Sequence, residues 1–437
     1  MKYISHIYQD QAGHWVIQSN EAHTAGVAKL SSQFAAEFGM GAWGKVLGQF
    51  HDRGKETNAF QQHIKKNSGF APESKVVGDY HHAYIGAIIA RNLYGKTADN
   101  FFVNQILSHH SGLHDSCELD GEKSDLKKDI PAEVNTNAEK DVLDKLSFKC
   151  GASDIHHLSR MLYSCLVDAD YLDTEAFMDK GSSELRANKT ALKDLLPKLE
   201  AYLRNLKDRA ENTEVNHIRS EVQLRCVQTA VSPIGFYSLT VPTGGGKTLS
   251  SLVWAMKHAI HNGQKRIIIA IPYTSIIVQT VAILRDIFGA ENVLEHHSNV
   301  DPEQIKDEKL REQMKLATEN WDYPIVVTTN VQLFESMFSN KPSVCRKLHN
   351  IVNSVLILDE VQTLPMGYLQ PIVDSLKTYN SLFKVSVLFT TASQPVLSGL
   401  IEGCNPMASF HGIKAINEII PKDFGLHERL RRVKLDI

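Results

Sequence analysis

Residues 236–250 constrain this chain more than any other stretch. A run of apolar and β-prone residues, Phe236 to Val241, leads into Thr243, Gly244, Gly245 and Gly246. Lys247 and Thr248 follow, and then a helix-like run to His258. That order is strand, glycine loop, helix, and it builds a phosphate cradle. Glycines let backbone N–H groups approach an anion closely. Lys247 can reach the β- and γ-phosphates, and the Thr248 hydroxyl can ligate Mg²⁺. Thr243, Gly244, Gly245, Gly246, Lys247 and Thr248 are therefore candidate contacts to Mg-ATP. Val241 stands where the general pattern has its first glycine.

The surrounding half of the chain suits such a loop. Near-continuous apolar runs at 236–241, 266–271, 325–329, 355–358 and 385–390 predict strands covered on both faces. Helical patterns between them predict right-handed crossovers and a doubly wound parallel sheet. The loop then lies at the carboxyl end of a strand, where open α/β sheets bind ligands. Asp359-Glu360 closes another aliphatic run. Asp359 would hold Mg²⁺ there, and Glu360 would polarise the attacking water.

At 437 residues the chain is long enough for two or three domains. A net charge of -3 confines any nucleic-acid surface to a local patch. No apolar run reaches about 18 residues, and the start has no signal-peptide core. Six cysteines lack paired spacing and read as reduced, cytosolic thiols. Histidine is abundant, at twenty residues, and most precede residue 160.

Those histidines punctuate a first half that reads as helical. From a cap at Ser19 or Asn20, the positions His23, Val27, Leu30, Phe34 and Phe38 share one face. His51-Asp52 follows, with Lys55 after it. Adjacent side chains on a helix diverge by roughly 100°. They can still serve one centre if it holds two metal ions about 3.5–4 Å apart with the carboxylate bridging them. His81-His82 precedes Gly86, His109-His110 comes next, and Asp168 and Asp170 close a later apolar run. Imidazole or carboxylate buried in such runs is costly unless paired or metal-bound. Spacing alone leaves His81 against His82, and Asp168 against Asp170, undecided. His63, His114, Asp115, His156 and His157 receive no role.

In this order the residues resemble the HD-type metal-dependent phosphohydrolases. With Lys55 after the His-Asp pair, they resemble the HD nuclease domain of CRISPR-associated helicase–nucleases of type I systems. The resemblance implies a multidomain protein: an all-α HD domain over 1–205, a connecting segment over 206–222, and the first RecA-like domain of a superfamily-2 helicase over 223–437. It selects His82 through its spacing to Gly86, and Asp170 through the Tyr171-Leu172 that follows. The implied metal ligands are His23, His51, Asp52, His82, His109, His110 and Asp170, with Asp52 bridging and Lys55 neutralising developing charge. A histidine-rich set favours two divalent transition-metal ions, Mn, Co, Ni or Fe, over Mg.

The resemblance extends through the second half. Pro242-Thr243 before the glycines is the superfamily-2 form of the loop. Arg225-Cys-Val-Gln228 resembles the adenine-reading motif. Residues 271–275 and Thr328-Thr329-Asn330 with Gln332 resemble strand-gripping motifs, and residues 390–393 resemble the coupling element. The family's second RecA-like half and C-terminal domain are not read after Ser393, so the sequence reads as truncated, with ATP bound weakly and turned over poorly. The implied activity is degradation of single-stranded DNA in CRISPR interference, coupled in the full-length family to ATP-dependent 3′–5′ unwinding. The implied partners are single-stranded DNA, an RNA-guided surveillance complex of the Cascade type and a phage-encoded inhibitor protein. The implied location is a prokaryotic cytoplasm. The rival reading is an HD nucleotide phosphohydrolase with a regulatory phosphate-loop domain, which would hydrolyse nucleotides faster than single-stranded DNA.

Overall fold

The computed structural model describes residues 3–430 apart from 116–124, 147, 149, 152–153, 187–189, 302, 304, 393–395 and 403–408. Ser393 of the expected coupling element therefore lies outside the described residues. The chain packs into two compact units. One is Met1–Ala187 with Phe338–His349; the other is Asn188–Met337 with Asn350–Ile437. Residues 188–222, expected to divide between the first domain and a connector, group with the second unit.

The first unit opens on a hairpin, not a helix. Strands β1 (Ile4–Gln9) and β2 (Trp15–Ser19) pair antiparallel. Their turn is set locally: the Asp10 carboxylate accepts from the backbone N–H groups of Ala12 and His14 at 2.9 and 2.8 Å. Gly13 takes φ +84°, which favours glycine. The expectation of an all-helical first half is corrected to this extent. Helix α1 (Asn20–Ala36) follows at once, with Ser19 Oγ capping the Ala22 N–H at 3.2 Å.

Helix α2 (Gly41–Phe50) lies against α1 at close range. A Cβ at Gly44 would fall 2.3 Å from the Ser31 carbonyl oxygen, and one at Gly48 would fall 2.4 Å from Ala28 Cα. The glycines thus let the two backbones touch. Helices α3 (Asn58–Asn67), α4 (Ala83–Tyr94), α5 (Lys96–Phe101) and α6 (Val103–Leu107) complete the wall. Helix α7 (Ile155–Met178) runs through the unit, with Leu158, Met161, Leu162, Cys165 and Leu166 fully buried. Each such aliphatic side chain contributes about 1.5–3 kcal/mol through burial. The short α8 (Lys180–Leu185) follows.

The second unit begins with α9 (Leu192–Arg209) and α10 (Glu214–Thr229). Although α9 is rich in charge, Leu192, Leu195 and Leu199 are buried in the core beside Trp254 and Ile277. Strands β3 (Phe236–Thr240), β4 (Arg266–Ile271), β5 (Val293–His296), β6 (Ile325–Thr329), β7 (Ser354–Asp359) and β8 (Ser386–Thr391) alternate with helices. These helices are α11 (Lys247–His261), α12 (Thr274–Phe288), α13 (Glu308–Asn320), α14 (Asn330–Phe338) and α15 (Leu369–Phe383). A small pair, β9 (Leu400–Ile401) and β10 (Phe410–His411), precedes β11 (Asn417–Glu418) and α16 (Leu426–Arg429).

Seven strands form one sheet in the order β11-β3-β8-β7-β4-β6-β5, and every pairing is parallel. It is the expected doubly wound, RecA-like sheet. The five strands foreseen from apolar runs are all in it; β5 and β11 are additions. Because β3, β8 and β7 are consecutive parallel strands, the turns leaving all three gather at the carboxyl end of the sheet. Among the described residues no helix is long and apolar enough to cross a membrane.

Candidate metal centre and nucleotide loop

Five helices bring histidines and carboxylates together in the first unit. His23 comes from α1. His51 and Asp52 end α2. His82 stands at the start of α4, His109 and His110 follow α6, and Asp170 lies on α7. Two groups form around one shared residue: His23, His51, Asp52 and Asp170, and Asp52, His82, His109 and His110. Within each group the ligand atoms lie within 4.8 Å of one another.

Asp52 faces both ways. Its Oδ2 lies 3.3 Å from His23 Nε2 and 3.4 Å from His51 Nε2. Its Oδ1 lies 3.2 Å from His82 Nε2 and 3.4 Å from His109 Nε2. Asp170 Oδ1 is 3.2 Å from His23 Nε2. His110 Nε2 is 3.1 Å from His82 Nε2. His23, His51, Asp52 and His109 are essentially inaccessible to solvent. Yet His23, His51 and His109 Nε2 and both Asp52 oxygens make no hydrogen bond. The Lys55 ammonium offsets Asp52 Oδ2, but the remaining buried imidazole and carboxylate atoms without hydrogen bonds would be costly in a core. Lone pairs converging on cations would account for them, so the residues present fit a pair of metal ions.

Charges in the cluster are coupled. Burial would push the Asp52 carboxyl up, but Lys55 and His51 hold it well below the usual carboxylate range. Burial pushes His23 down, but Asp170, Asp173 and Asp52 outweigh it and raise it to about 10. His51 is raised to about 9, Asp52 and Asp170 overcoming its burial. A cation held there would have to displace protons. Lys55 Nζ sits 2.6 Å from Asp52 Oδ2 and 3.2 Å from Ser5 Oγ, beside the bridging carboxylate.

The alternatives left by spacing fall apart in space. His81 is largely exposed and pairs with Asp79 at 2.7 Å. Asp168 turns to the other side of α7, where Arg346 Nε lies at 2.6 Å and His349 Nε2 at 2.9 Å. His63 stacks on Tyr80.

In the second unit the glycine loop follows β3. Gly244 and Gly246 take φ +91° and +83°. Val241 is buried, and a Cβ on Gly245 would come 2.5 Å from its Cγ1. The residue replacing the usual first glycine thus fills the space beneath the loop and obliges Gly245 to lack a side chain. Lys247 Nζ donates to Glu360 and lies 3.3 Å from Asp359 Oδ1. Burial would push Glu360 up, but Lys247 and Gln362 hold its carboxyl low. Thr390 Oγ1 donates to Asp359, and Thr391 Oγ1 donates to Gln362 Oε1 at 2.6 Å. The Thr390 and Thr391 hydroxyls of the expected coupling element thus touch the carboxylate turn. Thr248 is exposed at the start of α11, and Gln228 is exposed in the last turn of α10. Thr328 Oγ1 donates to the His296 carbonyl at 2.7 Å, so this hydroxyl of the expected gripping motif is used within the sheet.

Comparison with known proteins follows the same two halves. A model of the DEAD/DEAH box helicase family matches residues 220–398. A CRISPR-associated nuclease/helicase Cas3 of Haloferax volcanii is 27% identical over 265 residues, 56% of this chain and 27% of that protein. A putative Cas3 of Methanocaldococcus jannaschii is 32% identical over 136 residues, 29% of this chain and 18% of that protein. This chain is related to the Cas3 nuclease/helicases. Among solved structures, T. fusca Cas3 with AMPPNP matches at TM-score 0.54 and 16% identity, over 90% of this chain and 50% of that one. A chain of a CRISPR RNA-guided surveillance complex, pre-nicking, matches at TM-score 0.51 and 15% identity, over 90% and 47%. The chain thus spans about a quarter or less of the curated Cas3 lengths and about half of the solved Cas3 chains.

From sequence, Arg219 and Asp173 receive no role, and Gln362 receives only a place in the Asp359-Glu360-Val361-Gln362 run. Arg219 of α10 packs against Gly246 and donates from Nε to the Gly244 carbonyl at 2.9 Å. Gln362 bridges Glu360 and Thr391. Asp173 holds His23 Nδ1 at 2.7 Å. Arg219 carried no spacing signal, whereas Asp173 carried one, its spacing of three from Asp170 on a helix.

Proposed function

We propose that this chain is a metal-dependent nuclease degrading single-stranded DNA in type I CRISPR interference, joined to an ATP-binding RecA-like motor domain. The observation that carries it is the shared Asp52, with one oxygen toward His23 and His51 and the other toward His82 and His109. When bound, two divalent ions supply Lewis-acid stabilisation of a phosphodiester and a nucleophilic water at neutral pH. His23, His51, Asp52 and Asp170 would hold one; Asp52, His82, His109 and His110 would hold the other. The chain's own groups do the rest. Asp52 fixes the separation of the two ligand sets. Lys55 offsets the charge on Asp52 and stands ready to balance charge developing on phosphate. His110, the exposed ligand, marks the open side on which a strand enters.

In the second unit Lys247, Thr248 and the glycine loop would bind Mg-ATP, with Asp359 toward the metal and Glu360 toward water. Release of Lys247 from Glu360 must accompany γ-phosphate binding. Cas3 relatives are named nuclease/helicases, and one solved neighbour belongs to a surveillance complex, which supports DNA and a Cascade-type complex as partners.

Metal analysis coupled to cleavage of labelled single-stranded DNA tests the reading. The loaded wild type should hold two ions per chain. His51→Ala and Asp52→Ala should lose metal, and cleavage should fall about 10²–10³-fold, as when one preorganised transition-state contact is removed. Lys247→Ala should leave single-strand cleavage intact. Hydrolysis of nucleotides faster than of DNA would point to the nucleotide phosphohydrolase instead.

A further inference from the structure

The outer nitrogens of the cluster imidazoles are held in two ways. His51 Nδ1 donates to the Gly48 carbonyl at 2.9 Å, and His109 Nδ1 donates to the Ile106 carbonyl at 2.6 Å. Each uses the carbonyl three residues back in its own chain. His23 differs: its Nδ1 meets a carboxylate, Asp173 Oδ2, at 2.7 Å. Gln18 Nε2 donates to the same oxygen at 2.8 Å. Residue 173 lies three positions after Asp170 on α7, about 60° around the helix, so both carboxylates face His23. Asp170 takes its Nε2 side and Asp173 its Nδ1 side.

The backbone is shaped for this contact. Gly26, one turn after His23 on α1, has no room for a side chain, since a Cβ there would lie 1.9 Å from Asp173 Oδ1. Three elements therefore fix one carboxylate: β2 through Gln18, α1 through Gly26 and His23, and α7, which carries it. Ionised carboxylate only accepts hydrogen bonds, so His23 Nδ1 must carry the proton and Nε2 is left to face the cluster.

We propose that Asp173 is a positioning residue of the metal centre. It is not a ligand; it keeps the proton on His23 Nδ1, fixes the ring plane and makes Nε2 a stronger donor to a cation. The proposal rests on the metal reading above. Outer partners of this kind typically change metal affinity about 10–100-fold when removed.

The test uses the full chain stripped of metal and titrated with Co²⁺ and Mn²⁺. Affinity is read by calorimetry, and ligand geometry by the visible absorption of bound Co²⁺. Asp173→Ala should bind about 10–100-fold more weakly, with shifted Co²⁺ bands, while circular dichroism shows the fold retained. Asp173→Asn, whose side-chain carbonyl can still accept from Nδ1, should recover part of the loss. Wild-type affinity and bands in a folded Asp173→Ala would overturn the proposal. So would an Asn variant no better than Ala. If the Ala variant does not fold, Asp173→Asn decides alone: weaker binding with shifted bands supports the role, and unchanged binding removes it. His51→Ala separates the two levels. If wild type takes up no Co²⁺ or Mn²⁺, or His51→Ala binds as well as wild type, the metal centre itself is lost; if only the Asp173 variants behave as wild type, this role alone is lost.

Discussion

A methyl group added at Gly86 would lie 1.7 Å from the Phe50 carbonyl oxygen, and one added at Gly54 would lie 2.0 Å from the His82 carbonyl oxygen. Phe50 is the residue before His51. These two glycines therefore press the start of α4 onto the end of α2, which brings His82 to Asp52. The four-residue interval from His82 to Gly86 is thus a packing requirement as much as a motif. Gly86→Ala sets two effects against each other. Helix propensity favours Ala by about 1 kcal/mol. Overpacking against backbone that cannot rotate away typically costs about 1–3 kcal/mol, and a 1.7 Å approach lies at the severe end. The clash should win. Urea unfolding should show the first unit destabilised, and metal uptake should fall from two ions towards one as His82 is displaced. Unchanged stability with two ions bound would contradict this account of α4.

At the scale of elements, α7 shows why some of the site was legible and some was not. Residues two apart on a helix point roughly 200° from each other. Asp168 and Asp170 both end apolar stripes, and the pattern alone could not rank them. What distinguishes Asp168 lies far along the chain: Arg346 Nε at 2.6 Å and His349 Nε2 at 2.9 Å. The Arg346 guanidinium also covers the Tyr171 ring, and His349 stacks on Phe34. Burial would raise the Asp168 carboxyl, but His349 and Arg346 hold it far below its ordinary range. Arg346→Met removes one partner of a fully buried carboxylate. Breaking such a pair costs about 3–5 kcal/mol, and His349 should keep the loss near the lower figure. Paired Asp168→Leu and Arg346→Met should recover much of it, as measured by denaturant midpoints. The glycine loop was readable because phosphate binding needs contiguous residues. The HD-type order was readable because each histidine closes its own apolar run. The β1–β2 hairpin was passed over although Asp10 and Gly13 mark its turn, and β5 and β11 are too short for alternation to show. Arg219 could not be found because its side chain reaches the loop from α10, 25 residues before Gly244, with no sequence spacing to announce it.

Across the whole molecule the two candidate sites sit in separate units, so solution conditions should act on each differently. The sheet unit carries a titratable group in its core. His258 is fully buried, stacked on Trp254 at 4.3 Å, with Nδ1 donating to the Ala230 carbonyl at 3.0 Å and Nε2 meeting Ser386 Oγ at 2.8 Å. Burial pushes it down to about 4, the Ala230 hydrogen bond opposing in part. The native ring is therefore neutral at pH 7. In the unfolded chain it titrates near 6.5. Below that value the unfolded state binds a proton that the native state refuses until the pH nears 4. Stability is full above pH 6.5 and declines as the pH falls through this window. Between pH 7.5 and 5 the loss should be about 2 kcal/mol. Unfolding followed by Trp fluorescence should show that slope in the wild type. His258→Gln, whose amide can replace both hydrogen bonds without titrating, should flatten it by that amount. Equal slopes in the two proteins would mean that His258 does not govern the acid sensitivity of the sheet.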